Sequence, residues 1–272
     1  MSDHKVVLIT GASSGVGQCT ARLLSQQGYK VFGTSRDPAS AETMPNVEML
    51  ALDVRDDDSV RACVQAVSSH VGQLDVLVNN AGYELAGALE EFSLDDAKAQ
   101  FETNFFGVVR MVKAVLPLMR QQKQGQIINI SSLSGLTPVP FMGIYSASKF
   151  ALEGYTEALR LEVKPFNIQV SQIEVGFLNS PMMEHRQVAG QQIREYDPWR
   201  QRALEAIYAH EEKGPRPQLV AETVLKIIAS HTPRLRYVIG QQAKVVSRLR
   251  QFLPEGAFEN GVRRSFWLDK TK

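Results

Sequence analysis

Apolar and polar positions alternate along this chain in blocks of two lengths. Short runs that are apolar almost throughout are predicted as seven β-strands, at residues 5–10, 29–35, 46–54, 74–82, 125–132, 167–176 and 235–240. Longer segments with helical spacing lie between most of them, at about 15–27, 58–71, 94–122, 145–163 and 219–231. Pro117 falls inside the third helical segment and is expected to bend or end it.

Strands that are apolar on both faces and alternate with helices predict a parallel sheet covered by helices on each side. We therefore predict an α/β fold, a Rossmann-type doubly wound parallel sheet of seven strands, with residues 1–272 forming a single domain. The least regular segment, 177–218, is predicted to be a substrate lid. Residues 241–272 are a C-terminal extension, and its basic amphipathic part, 244–267, is expected to pack on its own domain, with a membrane surface or a partner subunit as the alternative.

Composition narrows the classes of protein to consider. The net charge of +1, with no long run of one sign, argues against nucleic acid as the main partner. There is no apolar stretch of about 18 residues and no signal-peptide pattern, which predicts a cytoplasmic protein without a spanning helix. Cys19 and Cys63 lie in predicted helices and are expected to pack as small apolar groups, so no disulfide and no metal site is predicted.

The residues after the first strand, TGASSGVG, predict a phosphate-binding loop. Gly11 permits a tight turn, while Gly15 and Gly17 let the backbone approach a phosphate and let the helix pack on the sheet. The helix N-terminus then offers free N–H groups to a pyrophosphate, whereas the alternative is a glycine-rich turn without a ligand. The predicted dinucleotide contacts here are Gly11, Ser13, Ser14, Gly15, Val16 and Gly17.

The ends of the next strands predict which dinucleotide binds. An acidic residue after the second strand would accept a hydrogen bond from a ribose 2′-OH, but this chain has Arg36, which suits a 2′-phosphate. NADP(H) is therefore preferred over NAD(H), unless Arg36 merely faces solvent. Asp53 is predicted either to bind the adenine amino group or to cap the next turn. The remaining predicted contacts on this side are Val54, Asn80, Ala81 and Gly82.

Tyr145 and Lys149 are four residues apart in a predicted helix, so both side chains leave the same face. A nearby ammonium favours phenolate, which predicts a Tyr145 pKa lowered toward neutrality and a phenol able to act as a general acid or base. Ser132, at the end of the fifth strand, would donate a hydrogen bond to the substrate oxygen. Lys149 would also bind the nicotinamide ribose. The alternative is a simple contact on a helix face.

Together the segments TGASSGVG, NNAG, NISS and YSASK resemble the motifs of the short-chain dehydrogenase/reductase family, in order and spacing, from about Lys5 to Gly240. The glycine spacing is similar to that of the single-domain branch. The resemblance implies that Ser132, Tyr145 and Lys149 form a catalytic trio. It adds Asn104, which would help hold a water in a proton relay. It also implies a homodimer or homotetramer, paired through the helices near 94–122 and 145–163.

The segment after the sixth strand departs from the family pattern. Val175-Gly176 stands where the family has Pro-Gly, which predicts a looser start of the lid. Gly176 and Ser180 keep their places as cofactor contacts, because the Ser180 hydroxyl stands where a threonine would bind the nicotinamide carboxamide.

A softer resemblance, to the branch that contains hydroxysteroid and retinol dehydrogenases, is carried by the segments ALEEFSLDDAKAQFETNFFGVVRMVKAVLPLM and RLRYVIGQQAKVVSRLRQFLP. Phe177, Met182 and Met183 are predicted substrate contacts with Ser132 and Tyr145, and they suit an apolar ketone, aldehyde or alcohol that is steroid-, retinoid- or aliphatic-like. The predicted function is an NADP(H)-dependent oxidoreductase that transfers a hydride between nicotinamide and this substrate. The alternatives are a non-catalytic dinucleotide-binding redox sensor and a methyltransferase-like nucleotide binder, neither of which needs the Tyr–Lys pair.

Overall fold

A parallel β-sheet forms the centre of the computed structural model, which describes residues 5–180, 186–240 and 252–269. Its strands are β1 (Val6–Ile9), β2 (Lys30–Ser35), β3 (Val47–Ala51), β4 (Val76–Asn79), β6 (Gly125–Ser132), β7 (Ile168–Val175) and β9 (Arg236–Ile239). Their spatial order is β3-β2-β1-β4-β6-β7-β9, and each neighbouring pair is parallel. Two short strands, β5 (Leu85–Ala86) and β8 (Gln187–Val188), pair separately beyond the sheet.

Helices cover both faces of the sheet, because its central strands are apolar on both sides. On one face α1 (Gly15–Gln26) and α7 (Pro217–Ala229) enclose a buried cluster that includes Ile9, Leu24 and Val224. On the other face α2 (Asp57–Val71), α4 (Gly107–Gln122) and α5 (Gly143–Val163) enclose a second cluster. This confirms the predicted doubly wound seven-stranded sheet. Strand order reverses between β1 and β4, which is where such sheets bind ligands.

The predicted helix over 94–122 is interrupted, but not at Pro117. It consists of α3 (Leu94–Phe101), a π-helical turn (Glu102–Phe106) and α4, which continues past Pro117 to Gln122. Proline removes one helical hydrogen bond, and the burial of Val115 and Met119 on either side keeps α4 on the core. The expectation that Pro117 ends the helix is therefore wrong.

The predicted lid is more regular than its sequence suggested. Its second half is a helix of 16 residues, α6 (Asp197–Glu212), with a proline in the first turn and a buried face that includes Ala203, Ala206 and Ile207.

Part of the C-terminal extension forms α8 (Glu255–Ser265), and the following Phe266 is buried against Phe177 and His210. The described part of the extension thus packs on its own domain.

None of the described helices combines the length and the apolar composition that a membrane-spanning helix needs.

Candidate active site

A cleft of about 630 Å³ opens at the carboxyl ends of the central strands. Nearly all the predicted site residues that the structure describes line it: Gly11, Ser13, Ser14, Gly15, Val16, Arg36, Asp53, Val54, Asn80, Ala81, Gly82, Asn104, Ser132, Tyr145, Lys149, Gly176, Phe177 and Ser180. Gly17 lies behind the loop instead, and Met182 and Met183 fall outside the described residues. The parallel strands therefore bring together residues that are far apart in sequence.

The glycine loop is shaped by close backbone approach. Gly11 has φ +67°, a conformation that favours glycine. A Cβ on Gly17 would lie 2.2 Å from the Gly11 carbonyl oxygen and 2.6 Å from Asn80 Nδ2, so only glycine fits where α1 meets the loop. Ser14, at the N-cap of α1, makes no side-chain capping bond. The first-turn N–H groups of α1 therefore have no side-chain cap from Ser14, and Gly15 and Val16 of this turn line the cleft, which fits a phosphate of a dinucleotide.

Asn80 holds this loop in place. Its Nδ2 donates to the carbonyl oxygens of Thr10 and Gly11, at 3.0 and 2.9 Å, and its backbone N–H donates to Thr10 Oγ1 at 2.9 Å. The amide group predicted to contact the cofactor is thus used to join the loop after β4 to the loop after β1.

At the far end of the cleft the structure places two arginines. Arg36 is exposed at the end of β2. Arg55, which the sequence analysis missed, forms an ion pair with Asp53, with Nη2 2.6 Å from Oδ2. Hydrogen bonds from Arg55 hold the pKa of Asp53 below its usual value. The Asp53 carboxylate also accepts from the Arg55 N–H at 3.0 Å, which agrees with the turn-capping alternative, and Asp53 lines the cleft as predicted.

Ser132, Tyr145 and Lys149 converge in the middle of the cleft. Ser132 Oγ accepts a hydrogen bond from the Ser134 N–H at 3.1 Å and is hydrogen-bonded to the Tyr145 phenol. Lys149 Nζ donates to the Ile130 carbonyl oxygen at 2.9 Å and lies 5.8 Å from the centroid of the Tyr145 ring. The two side chains lie on one face of α5, as their spacing predicts, and both are buried.

The electrostatics of this trio differ from the expectation. Burial raises the pKa of Tyr145, the Glu84 carboxylate raises it further, and the hydrogen bond with Ser132 opposes both. The predicted lowering of the Tyr145 pKa toward neutrality is therefore wrong: the protein's own groups raise this pKa. Removing a phenol from water disfavours phenolate, and the same burial lowers the pKa of Lys149 to about 8, which weakens it as a counter-charge.

The lowered pKa of Lys149 predicts a pH effect on stability. Its pKa is about 8 in the folded protein against an ordinary 10.5, so between these values the unfolded chain binds more protons and stability rises with pH. Relative to Lys149→Met, the wild-type free energy of unfolding should increase by about 1–2 kcal/mol between about pH 8 and about pH 9.5. Urea denaturation at both pH values measures it.

The control for this experiment is Lys113→Met on the exposed side of α4, which removes one surface charge. A difference between the wild type and Lys149→Met that stays constant over this range would show that Lys149 is not held in a desolvated environment.

Asn104 lies in the π-helical turn and is buried. Its Oδ1 accepts from the Tyr83 N–H at 3.1 Å, and its Nδ2 donates to the Tyr83 carbonyl at 3.0 Å and to Ser148 Oγ at 3.5 Å. Such turns are frequent at functional sites because they aim one side chain out of register. Asn104 thus fixes the loop after β4 against α5, the helix that carries the trio.

A buried charged cluster, Glu84–Arg186–Glu211, stands beside Tyr145 and was not predicted. Arg186 Nη2 donates to Glu84 Oε2 at 2.7 Å and also to Glu211 Oε1. Glu84 and Glu211 line the cleft, and the charges of all three residues act on the phenol. Sequence offered no signal for this cluster, since Glu84 and Arg186 are separated by 102 positions.

An apolar wall lies beside Tyr145. Its side chains come from the loop after β6, the start of α5, the beginning of the lid and α6: Leu133, Val139, Met142, Phe177, Leu178 and Ile207. The cleft therefore combines a polar end beside the glycine loop with an end near Tyr145 that carries both apolar side chains and the charged cluster.

Comparisons with known proteins agree with this geometry. The family model described as "short chain dehydrogenase" matches residues 5–189. A 3-ketodihydrosphingosine reductase from Bacteroides thetaiotaomicron is 43% identical over 262 residues, which cover 95% of this chain and 97% of the relative. Retinol dehydrogenase 8 from Bos taurus is 37% identical over 275 residues, covering 93% of this chain and 87% of the relative.

The fold also matches a solved structure with a bound dinucleotide. A short chain dehydrogenase/reductase from Burkholderia phymatum, in complex with NAD, superposes with a TM-score of 0.79 at 26% identity, covering 92% of this chain and 93% of that one.

Proposed function

The chain belongs to the short-chain dehydrogenase family, and from that premise we propose that it uses NADP(H) to reduce a ketone carried on a long apolar chain. The family makes it an oxidoreductase that acts on CH–OH groups with a nicotinamide dinucleotide. The observation that carries the proposal is the convergence of Ser132, Tyr145 and Lys149 beside the phosphate loop.

The roles of the trio follow from its contacts. A bound dinucleotide supplies the hydride. Ser132, adjacent to the phenol, donates a hydrogen bond to the carbonyl oxygen as negative charge develops there. Tyr145 then donates its proton to that oxygen, since a phenol is protonated at neutral pH. The Lys149 ammonium, which the Ile130 carbonyl holds in position, would bind the hydroxyl groups of the nicotinamide ribose.

The preference for NADP(H) rests on Arg36. A guanidinium directly after β2 favours a 2′-phosphate over a 2′-OH, and the neighbouring Asp37 carboxylate instead accepts from the Ala39 N–H at 3.2 Å. We expect Arg36→Ala to weaken NADPH binding about 10- to 100-fold and to leave NADH binding nearly unchanged, since one charge-assisted contact is lost. Fluorescence titration with both dinucleotides measures the two dissociation constants.

The matched control is Arg61→Ala, which removes an exposed arginine on α2 that pairs with Asp58 away from the cleft. Equal losses of NADH and NADPH affinity in Arg36→Ala would show that Arg36 does not recognise the 2′-phosphate. A wild-type protein that binds NADH more tightly than NADPH would contradict the assignment as well.

A long-chain aliphatic ketone is the favoured substrate class. A 3-ketodihydrosphingosine reductase is 43% identical to this chain, and the apolar wall near Tyr145 suits an alkyl chain. We expect NADPH oxidation with 3-ketodihydrosphingosine at a higher kcat/KM than with retinal or a ketosteroid. The loss of NADPH absorbance with each of the three compounds measures these kcat/KM values. Absence of turnover with all three would overturn the proposed function.

A further inference from the structure

We infer that Glu211, held by Arg186 beside Glu84, binds an ammonium group next to the reacting carbonyl, so that the substrate is a long-chain amino ketone. This inference rests on the proposed function and assigns the polar part of the same substrate site. Its first support is position, because Glu84 and Glu211 line the cleft that Ser132 and Tyr145 line. Their charges also act on the phenol that would protonate the substrate oxygen.

The hydrogen bonding of Glu211 is incomplete. Its Oε1 accepts from Arg186, but its Oε2 has no hydrogen-bond partner among the described residues, although Glu211 is only 6% exposed. A buried carboxylate oxygen without a donor is costly, which makes a donor on the ligand favourable. An ammonium supplies three N–H donors.

The charge of the cluster points to a cation. Glu84 and Glu211 carry two negative charges when ionised, and Arg186 carries one positive charge, so the cluster is left with one negative charge. The Lys149 ammonium also attracts Glu84, but it is oriented by its hydrogen bond to the Ile130 carbonyl, and it is not among the charges that shift the pKa of Glu211. Burial raises the pKa of Glu211 to about 7, so this carboxyl is only partly ionised at neutral pH without a ligand, and an ammonium bound beside it would favour the ionised form.

The cluster also argues against purely hydrocarbon ligands. Arg186 is clamped between the two carboxylates and has a buried side chain, so Glu211 is held in position before any ligand binds. A retinoid or steroid end placed here would leave Oε2 without a donor and would displace water from a charged group. An amino ketone instead places its alkyl chain on the apolar wall and its ammonium on Glu211.

The test compares 3-ketodihydrosphingosine, whose amino group is next to the ketone, with 1-hydroxyoctadecan-3-one, which lacks that amino group. With the wild type and NADPH, we expect kcat/KM to be about 10- to 100-fold higher for the amino ketone, mainly through KM. In Glu211→Gln this ratio should fall at least about tenfold. Glu212→Gln, on the exposed neighbouring position of α6, should keep the wild-type ratio.

Each outcome can be assigned. Equal kcat/KM for the two ketones in the wild type would overturn the inference while leaving the proposed function intact, as would equal losses for both in Glu211→Gln. If Glu211→Gln does not fold, the wild-type ratio alone decides. If neither ketone is reduced, the proposed function fails. The inference is then tested by binding: the NADPH-bound protein should bind dihydrosphingosine more tightly than the matched diol that lacks the amine, and equal affinities would overturn it.

Discussion

Replacing Tyr145 by phenylalanine is expected to lower kcat by about 10²- to 10⁴-fold, the usual contribution of a positioned general acid. The substitution removes one hydroxyl, and the phenyl ring keeps its buried place on α5. Ser132 Oγ keeps its bond from the Ser134 N–H, so the oxygen-binding side of the site stays in position. Affinity for NADPH should change by less than about threefold, because only the chemical step loses an interaction.

The control is Tyr155→Phe, which removes the same hydroxyl from the same helix. Tyr155 packs edge-on against Phe105, with ring centroids 5.9 Å apart, and does not line the cleft. Steady-state rates with NADPH and 3-ketodihydrosphingosine, together with NADPH titration, measure both effects. A Tyr145→Phe protein with the wild-type rate would show that another group supplies the proton.

Gly17→Ala should strongly weaken dinucleotide binding. The added Cβ would lie 2.2 Å from the Gly11 carbonyl oxygen, which is backbone and cannot rotate away. Either α1 moves off the sheet or the Gly11 turn shifts, and both displace the N–H groups that would face the pyrophosphate. We expect the free energy of unfolding to fall by about 1–3 kcal/mol, as for overpacking, and NADPH affinity to fall by more than about tenfold.

Gly154→Ala is the matched control. Gly154 lies in α5, and a Cβ there would meet no heavy atom within 4 Å, so this variant should be slightly more stable than the wild type. Thermal or urea unfolding and NADPH titration compare the two variants. A Gly17→Ala protein with unchanged stability and NADPH affinity would mean that the loop does not depend on this close approach.

The elements that sequence predicted best are those with local signals. Apolar strands and the glycine loop are each determined by neighbouring residues, since burial on both faces requires continuous apolar runs and a tight phosphate loop requires glycine. The Tyr145–Lys149 pair is also local, because helical spacing alone puts both side chains on one face. Those predictions needed no knowledge of the rest of the chain.

Predictions that depended on context were less successful. Pro117 and α6 were judged from propensity, whereas packing of Val115, Met119 and Ala206 on the body decided where these helices run. The π-helical turn that aims Asn104 has no recognisable local pattern. Sequence placed Asp53 and Asn80 at the cleft, but it did not show that Arg55 and the glycine loop already occupy their polar groups.

By itself the sequence determined the sheet, the tight glycine loop and the shared helix face of Tyr145 and Lys149, because each follows from residues close together along the chain. Only the tertiary structure decided the sign of the Tyr145 pKa shift and the assembly of Glu84, Arg186 and Glu211. Desolvation and charge depend on everything that surrounds a group in space, and those neighbours come from distant parts of the chain.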